Sequence, residues 1–170
     1  IALSLVGSEM CIRDRSGDAI HKRRLLLIRG LGHSGTTILD LALGAHPQLV
    51  GLGEAARILE RPARGEERRG PAQLRGQLRF ERCCTCGAVA AQCPVWGPIL
   101  EWLPAHEECS LAGKTLQLLD AVMHQHPKAS WAVDSYQDDM VLPFLEDPGL
   151  EIRIPVSYTH LTLPTKNEVV

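Results

Sequence analysis

LLLIRGLGHSGTTILDLALGAHP, Leu25 to Pro47, changes its periodicity half-way along. Leu25 to Ile28 is a continuous apolar run, the pattern of a strand buried on both faces. Gly30, Gly32 and Gly35 then punctuate a tight turn, and Ile38, Leu39, Ala42, Leu43 and Ala45 recur at helical spacing beyond it. The stretch therefore reads as strand, glycine-rich loop, helix. The first turn of a helix carries unpaired N–H groups and a partial positive charge, so a glycine-rich approach lets an anion rest directly on the backbone. Ser34, Thr36 and Thr37 add hydroxyls at the same place, which points to a phosphate or sulfate as the anion.

Gly30, four residues, then Gly35, Thr36 and Thr37 comes one residue short of the nucleotide-binding P-loop: Thr36 stands where that motif has lysine. Because that lysine reaches the outer phosphates, its absence argues against ATP or GTP hydrolysis. With HSGTT at His33 to Thr37, HP at His46 and Pro47, and GE at Gly53 and Glu54, the chain resembles the sulfotransferase superfamily. The phosphosulfate loop of that family reads (R/K)SGTT or (R/K)SGST and is followed by HP and GE, and the resemblance is greatest to bacterial sulfotransferases and the related protein-tyrosine sulfotransferases. It implies an enzyme that transfers a sulfuryl group from the co-substrate 3′-phosphoadenosine 5′-phosphosulfate to a hydroxyl or amine, with no metal required. The fold expected is α/β: a P-loop-like parallel sheet with helices on both faces, truncated at the C-terminus.

Residue by residue, the resemblance assigns the co-substrate to Gly32, His33, Ser34, Gly35, Thr36 and Thr37, and the catalytic roles to Glu54 as the base and His33 as a donor to the transferring group. A carboxylate beside a phosphosulfate can take the acceptor's proton as the sulfuryl group arrives; on its own residues, Glu54 reads equally well as an acid favoured at a helix start. His33 departs from the family's arginine or lysine, so its charge depends on pH. Farther on, SWAVDSYQDDMVLPFL holds a second buried strand, Trp131 to Val133, ending in Asp134 and Ser135. The family has DSSK here, close to the nucleotide; Tyr136 and Gln137 replace its second serine and lysine. Ser135 remains a candidate for a phosphate contact or a helix cap. LEIRI, Leu150 to Ile154, is a third expected strand, which in the family leads to an arginine motif gripping the 3′-phosphate; that motif is missing from PVSYTH.

Around this nucleus, QLVGLGEAARIL reads as a short extended piece turning into a helix near Glu54, and the first helix should stop near Gly44. Arg57 to Arg82 carries eight arginines broken by glycine and proline, the mark of a solvated surface segment or of a lid for an acidic ligand. SLAGKTLQLLDAVMHQHP, Ser110 to Pro127, is an amphipathic helix with Ala112, Leu116, Leu119, Val122 and Met123 inward, and Lys114, His124 and His126 on its surface. Trp96, Ile99, Leu100, Trp102 and Leu103 suggest a short helix packed on the main domain.

CCTCGAVAAQCPVW, residues 83–96, is a cysteine-rich insertion with four cysteines in eleven residues. Three chemistries fit: structural cysteines, free or paired; redox; or a zinc site from Cys84, Cys86 and Cys93 with Cys83 or Cys109, although two C-x-x-C knuckles are the usual zinc spacing. No metal ligand is assigned among the site residues.

The 170 residues and 45% apolar composition suit one domain with a core. A net charge of −2 gives no reason to expect nucleic acid or a membrane as partner, and no apolar run approaches the roughly 20 residues of a membrane span. A cytoplasmic enzyme with an unassigned acceptor and oligomeric state is expected. Residues 1–15 and 155–170, through SLVGSEMCIRDR and VSYTHLTLPT, resemble translated sequencing-adapter read-through, so the expected native part is residues 16–154, the N-terminal part of a sulfotransferase domain and inactive alone. The rival readings are a P-loop nucleotide kinase-like phosphotransferase, with Asp134 as the magnesium-side acid, and a non-enzymatic zinc-binding module.

Overall fold

A computed structural model of the chain describes residues 22–30, 34–60, 83–84, 86–136 and 139–157. Gly32, His33, the arginine-rich residues 61–82 and the segment 1–15 lie outside the described residues, as do positions 158–170 of the second adapter-like segment.

Strands β1 (Arg23–Leu27), β3 (Leu49–Gly51), β4 (Trp131–Asp134) and β5 (Leu150–Arg153) form one sheet in the order β3-β4-β1-β5, and every pairing in it is parallel. The short β2 (Arg29–Gly30) continues the β1 path and pairs in parallel with β6 (Val156–Ser157). Val156 and Ser157 open the adapter-like segment, and they are held by this ladder together with a bond from the Arg29 amide to the Pro155 carbonyl, 2.9 Å. Among the described residues, four α-helices lie between these strands: α1 (Thr36–Gly44), α2 (Ala55–Leu59), α3 (Trp96–Trp102) and α4 (Leu111–Gln125). The chain is thus a mixed α/β fold, in agreement with the sequence expectation at that level.

Parallel strands need crossovers, and the crossovers cover the sheet. Leu25 stands opposite Ala132 in the ladder, and both pack with Ala112 and Leu119 of α4. Side chains alternate along a strand, so Leu26 and its partner Val133 face the other way. Gly51, in register with Val133, faces Asp40 of α1: a Cβ at Gly51 would come within 2.7 Å of the Asp40 carboxylate. α1 and α4 therefore lie on opposite faces.

The largest apolar cluster joins α2, α3 and α4 through Leu59, Trp96, Ile99, Leu100, Leu118 and Val122. Each such side chain contributes about 1.5–3 kcal/mol when fully buried. The expected short helix at Trp96 is present, and α4 begins as expected, with Ser110 as N-cap accepting the Gly113 amide at 3.1 Å. Two inward faces differ from the expectation. Lys114 is buried rather than exposed, because its Nζ donates to the Glu107 carbonyl at 2.7 Å with the Glu107 carboxylate 3.6 Å away. On α1, Ile38 and Leu41 are 73% and 65% exposed, while Thr36 and Asp40 are the buried residues. Hydrophobic spacing marked α1 as a helix but not its inner face, which meets polar groups at the ends of the strands.

Candidate functional site

β1 and β4 are neighbours whose onward connections leave toward opposite edges, β1 to β3 and β4 past β1 to β5. Such a reversal opens a crevice beyond the carboxyl ends of the strands, where open α/β sheets bind ligands. Three connections meet there: the loop from β2 into α1, the turn from β3 into α2, and the exit of β4.

Gly35 is the N-cap residue of α1, in the left-handed region at φ 79°, and among the described residues no side chain caps the helix. A glycine adopts that conformation without strain. Ser34, just before it, is 3% exposed, and its hydroxyl has no hydrogen-bond partner among the described residues. Gly30 makes room for it: a Cβ there would fall 2.2 Å from Ser34 Oγ. Ser157 Oγ donates to the Ser34 carbonyl at 2.8 Å and fixes the backbone of the turn. Thr36 is buried at the first helical position, whereas Thr37 is exposed.

At the end of β4, Asp134 accepts the Ala56 amide on one carboxylate oxygen and the Tyr136 amide on the other, each at 2.8 Å. It thereby pins the start of α2 to the sheet. Burial pushes its carboxyl up to about 7; the two amide bonds pull the other way, and the charges of Asp40 and Glu54 add to the rise. Ser135 Oγ donates to Asp40 at 3.1 Å, and the Ser135 amide donates to the Gly53 carbonyl at 2.7 Å. Asp40 is itself pushed above the usual carboxylate range by burial, against the pull of the Ser135 hydroxyl and the Gly53 amide. One knot of hydrogen bonds thus joins α1, the β3–α2 turn and β4.

Glu54 follows Gly53, which has φ 68°, and places its carboxylate at this same end of the sheet. The side chain is 43% exposed and pairs with Arg57 one turn on. Arg57 in turn stacks over Tyr136, 5.7 Å from the ring centroid.

The fold accordingly gathers Ser34, Gly35, Thr36, Thr37, Glu54 and Ser135 at the carboxyl end of the sheet; Gly32 and His33 lie outside the described residues. No protein-family model matches the chain, and no curated protein or solved structure matches it. Two members of the site escaped the reading of the sequence. Arg29 is buried, and its guanidinium donates to the Tyr136 carbonyl at 2.8 Å, tying the start of the loop to the exit of β4. A charge directly after four apolar residues is a visible signal for it. Asp40 gave no signal, because nothing in a helical pattern tells which polar residue turns inward.

Proposed function

We propose that this end of the sheet is the 5′-phosphosulfate seat of a sulfotransferase, with 3′-phosphoadenosine 5′-phosphosulfate as co-substrate. The observation that carries the reading is Ser34, whose buried hydroxyl lacks a partner among the described residues beside the amino end of α1. Leaving a buried hydroxyl without a partner is costly. A phosphate group there would accept hydrogen bonds from the Ser34 hydroxyl and from N–H groups at the start of α1. The parallel strand–loop–helix arrangement at the sheet's reversal supports a P-loop-like seat, and Thr36 in the lysine position favours a sulfonated over a triphosphate ligand.

In this reading the acceptor oxygen attacks sulfur, the bond from sulfur to the bridging oxygen of the nucleotide breaks, and the acceptor's proton passes to the Glu54 carboxylate. The electron pair of the broken bond stays on the 5′-phosphate, where the amides of α1 and the hydroxyls of Ser34, Thr36 and Thr37 stabilise the added charge. Positioning and neutralisation carry such a transfer, as they do for phosphoryl groups. His33 supplies a further donor when protonated, so binding of the dianion strengthens as pH falls through the imidazole range.

The kinase reading needs an acid at the end of β4 free to hold magnesium. Asp134 is committed on both oxygens to backbone amides, which weighs against it. Thermal-shift titration separates the two. Saturable stabilisation by 3′-phosphoadenosine 5′-phosphate, absent with ATP and magnesium and abolished in Ser34→Ala, is the expected result. A shift with ATP and magnesium alone, or with neither, overturns the assignment.

A further inference from the structure

We propose that Cys84, Cys86 and Cys93 form a three-thiolate zinc site that locks the cysteine-rich insertion onto the amino end of α3. The inference rests on the geometry of these sulfurs and is independent of the sulfotransferase reading.

The three Sγ atoms lie within 4.8 Å of one another, and those of Cys84 and Cys93 are 3.5 Å apart. A disulfide would require about 2.05 Å. Ligands about 2.3 Å from a tetrahedral zinc ion stand roughly 3.8 Å from each other, close to the 3.5 Å between Cys84 and Cys93. The spacing C-x-C-x6-C looked poor for zinc in the sequence, yet two local devices converge it. The first is a tight hairpin. Cys83 bridges Val89 in antiparallel fashion, the Cys84 amide donates to the Ala88 carbonyl at 2.8 Å, and the Gly87 amide donates back to the Cys84 carbonyl at 2.9 Å. Gly87 closes this turn at φ 86°, a conformation that L side chains rarely adopt.

The second device is the start of α3. A single 3₁₀ turn, Ala90–Gln92, carries the chain back so that Cys93 sits just ahead of the helix, with the amides of Val95 and Trp96 directed at its sulfur. As a divalent cation binds, the thiol protons leave to solvent and the sulfur lone pairs bond the metal. Thiolate softness selects zinc over magnesium or calcium. A fourth tetrahedral position is left for water or another donor.

The site is built into the core rather than hung on the surface. Cys93 is 3% exposed and shares a cluster with Trp96, Ile99 and Leu100, and with Ala55 and Leu59 of α2. Cys84 packs against the same cluster, whereas Cys86 is exposed. A metal here would stiffen the support under α2, the helix that follows Glu54.

The test is titration of the reduced, metal-free full chain with cobalt(II), followed by displacement with zinc. The expected result is a thiolate-to-cobalt charge-transfer band that saturates at one equivalent per chain and disappears on adding zinc. Cys86→Ser, at an exposed position and with far-UV circular dichroism as the check of folding, should lower its intensity by about a third, the share of one thiolate in three. Cys83→Ser should leave it unchanged. Absence of the band, full intensity in Cys86→Ser, loss of intensity in Cys83→Ser, or a Cys84–Cys93 disulfide found by mass mapping of the metal-free isolated protein would each overturn the proposal.

Discussion

Asp134 illustrates how a single carboxyl can be structural at a place where chemistry is expected. Both of its oxygens accept backbone amides, and burial raises it to about 7. In an unfolded chain the same group titrates near 3.9. The folded state therefore holds its proton more tightly, so the contribution of Asp134 to stability is complete below about pH 4 and is lost as pH rises through about 7. Denaturant titrations from pH 4.5 to 8 should show this fall in the wild type and a flatter profile in Asp134→Asn; parallel profiles would refute it. Asp40, raised in the same direction, leaves part of the slope in the variant. Gly30 gives a simpler expectation: with Ser34 Oγ 2.2 Å from the new Cβ, Gly30→Ala should displace the serine and abolish nucleotide stabilisation in the thermal-shift titration. An unaltered nucleotide shift in that variant would place the anion elsewhere.

Among the helices, α4 carries both the clearest sequence pattern and its main surprise. Its amino end is closed by Ser110, and Ser110→Ala should lower stability by about 1 kcal/mol in denaturant unfolding. Lys114 was legible only as a polar residue on an amphipathic helix. Its burial depends on Glu107, seven residues earlier and in a preceding turn, which supplies both a carbonyl and a carboxylate. Lys114→Ala leaves that carbonyl without its donor and removes a buried stem, so its loss should exceed that of Ser110→Ala, at about 1–3 kcal/mol; an equal or smaller loss would show the ammonium to be incidental. α1 shows the same limit. Apolar spacing revealed a helix ending at Gly44, but its buried face is Thr36 and Asp40, chosen by Gly51 and Ser135 across the fold.

For the molecule as a whole, the parallel sheet and the helices on its two faces divide the apolar surface unequally. Leu119 of α4 is fully buried against β1 and β4, whereas Ile38 of α1 is 73% exposed. Leu119→Ala should cost about 2–5 kcal/mol, and Ile38→Ser should stay within about 0.5 kcal/mol. Comparable effects in chemical denaturation would mean that α1 is covered in solution. Strand and helix existence, the glycine turn at Gly35, and the grouping of Ser34 to Thr37 were all readable along the chain, because periodicity and glycine conformation are local properties. Strand order, the burial of the Ser34 hydroxyl, the doubly bonded Asp134 and the convergence of Cys84, Cys86 and Cys93 were not. Each depends on groups distant in the chain or on a backbone turn whose path the residue spacing leaves open, and burial, which sets both proton affinity and the need for a partner, exists only once those groups have come together.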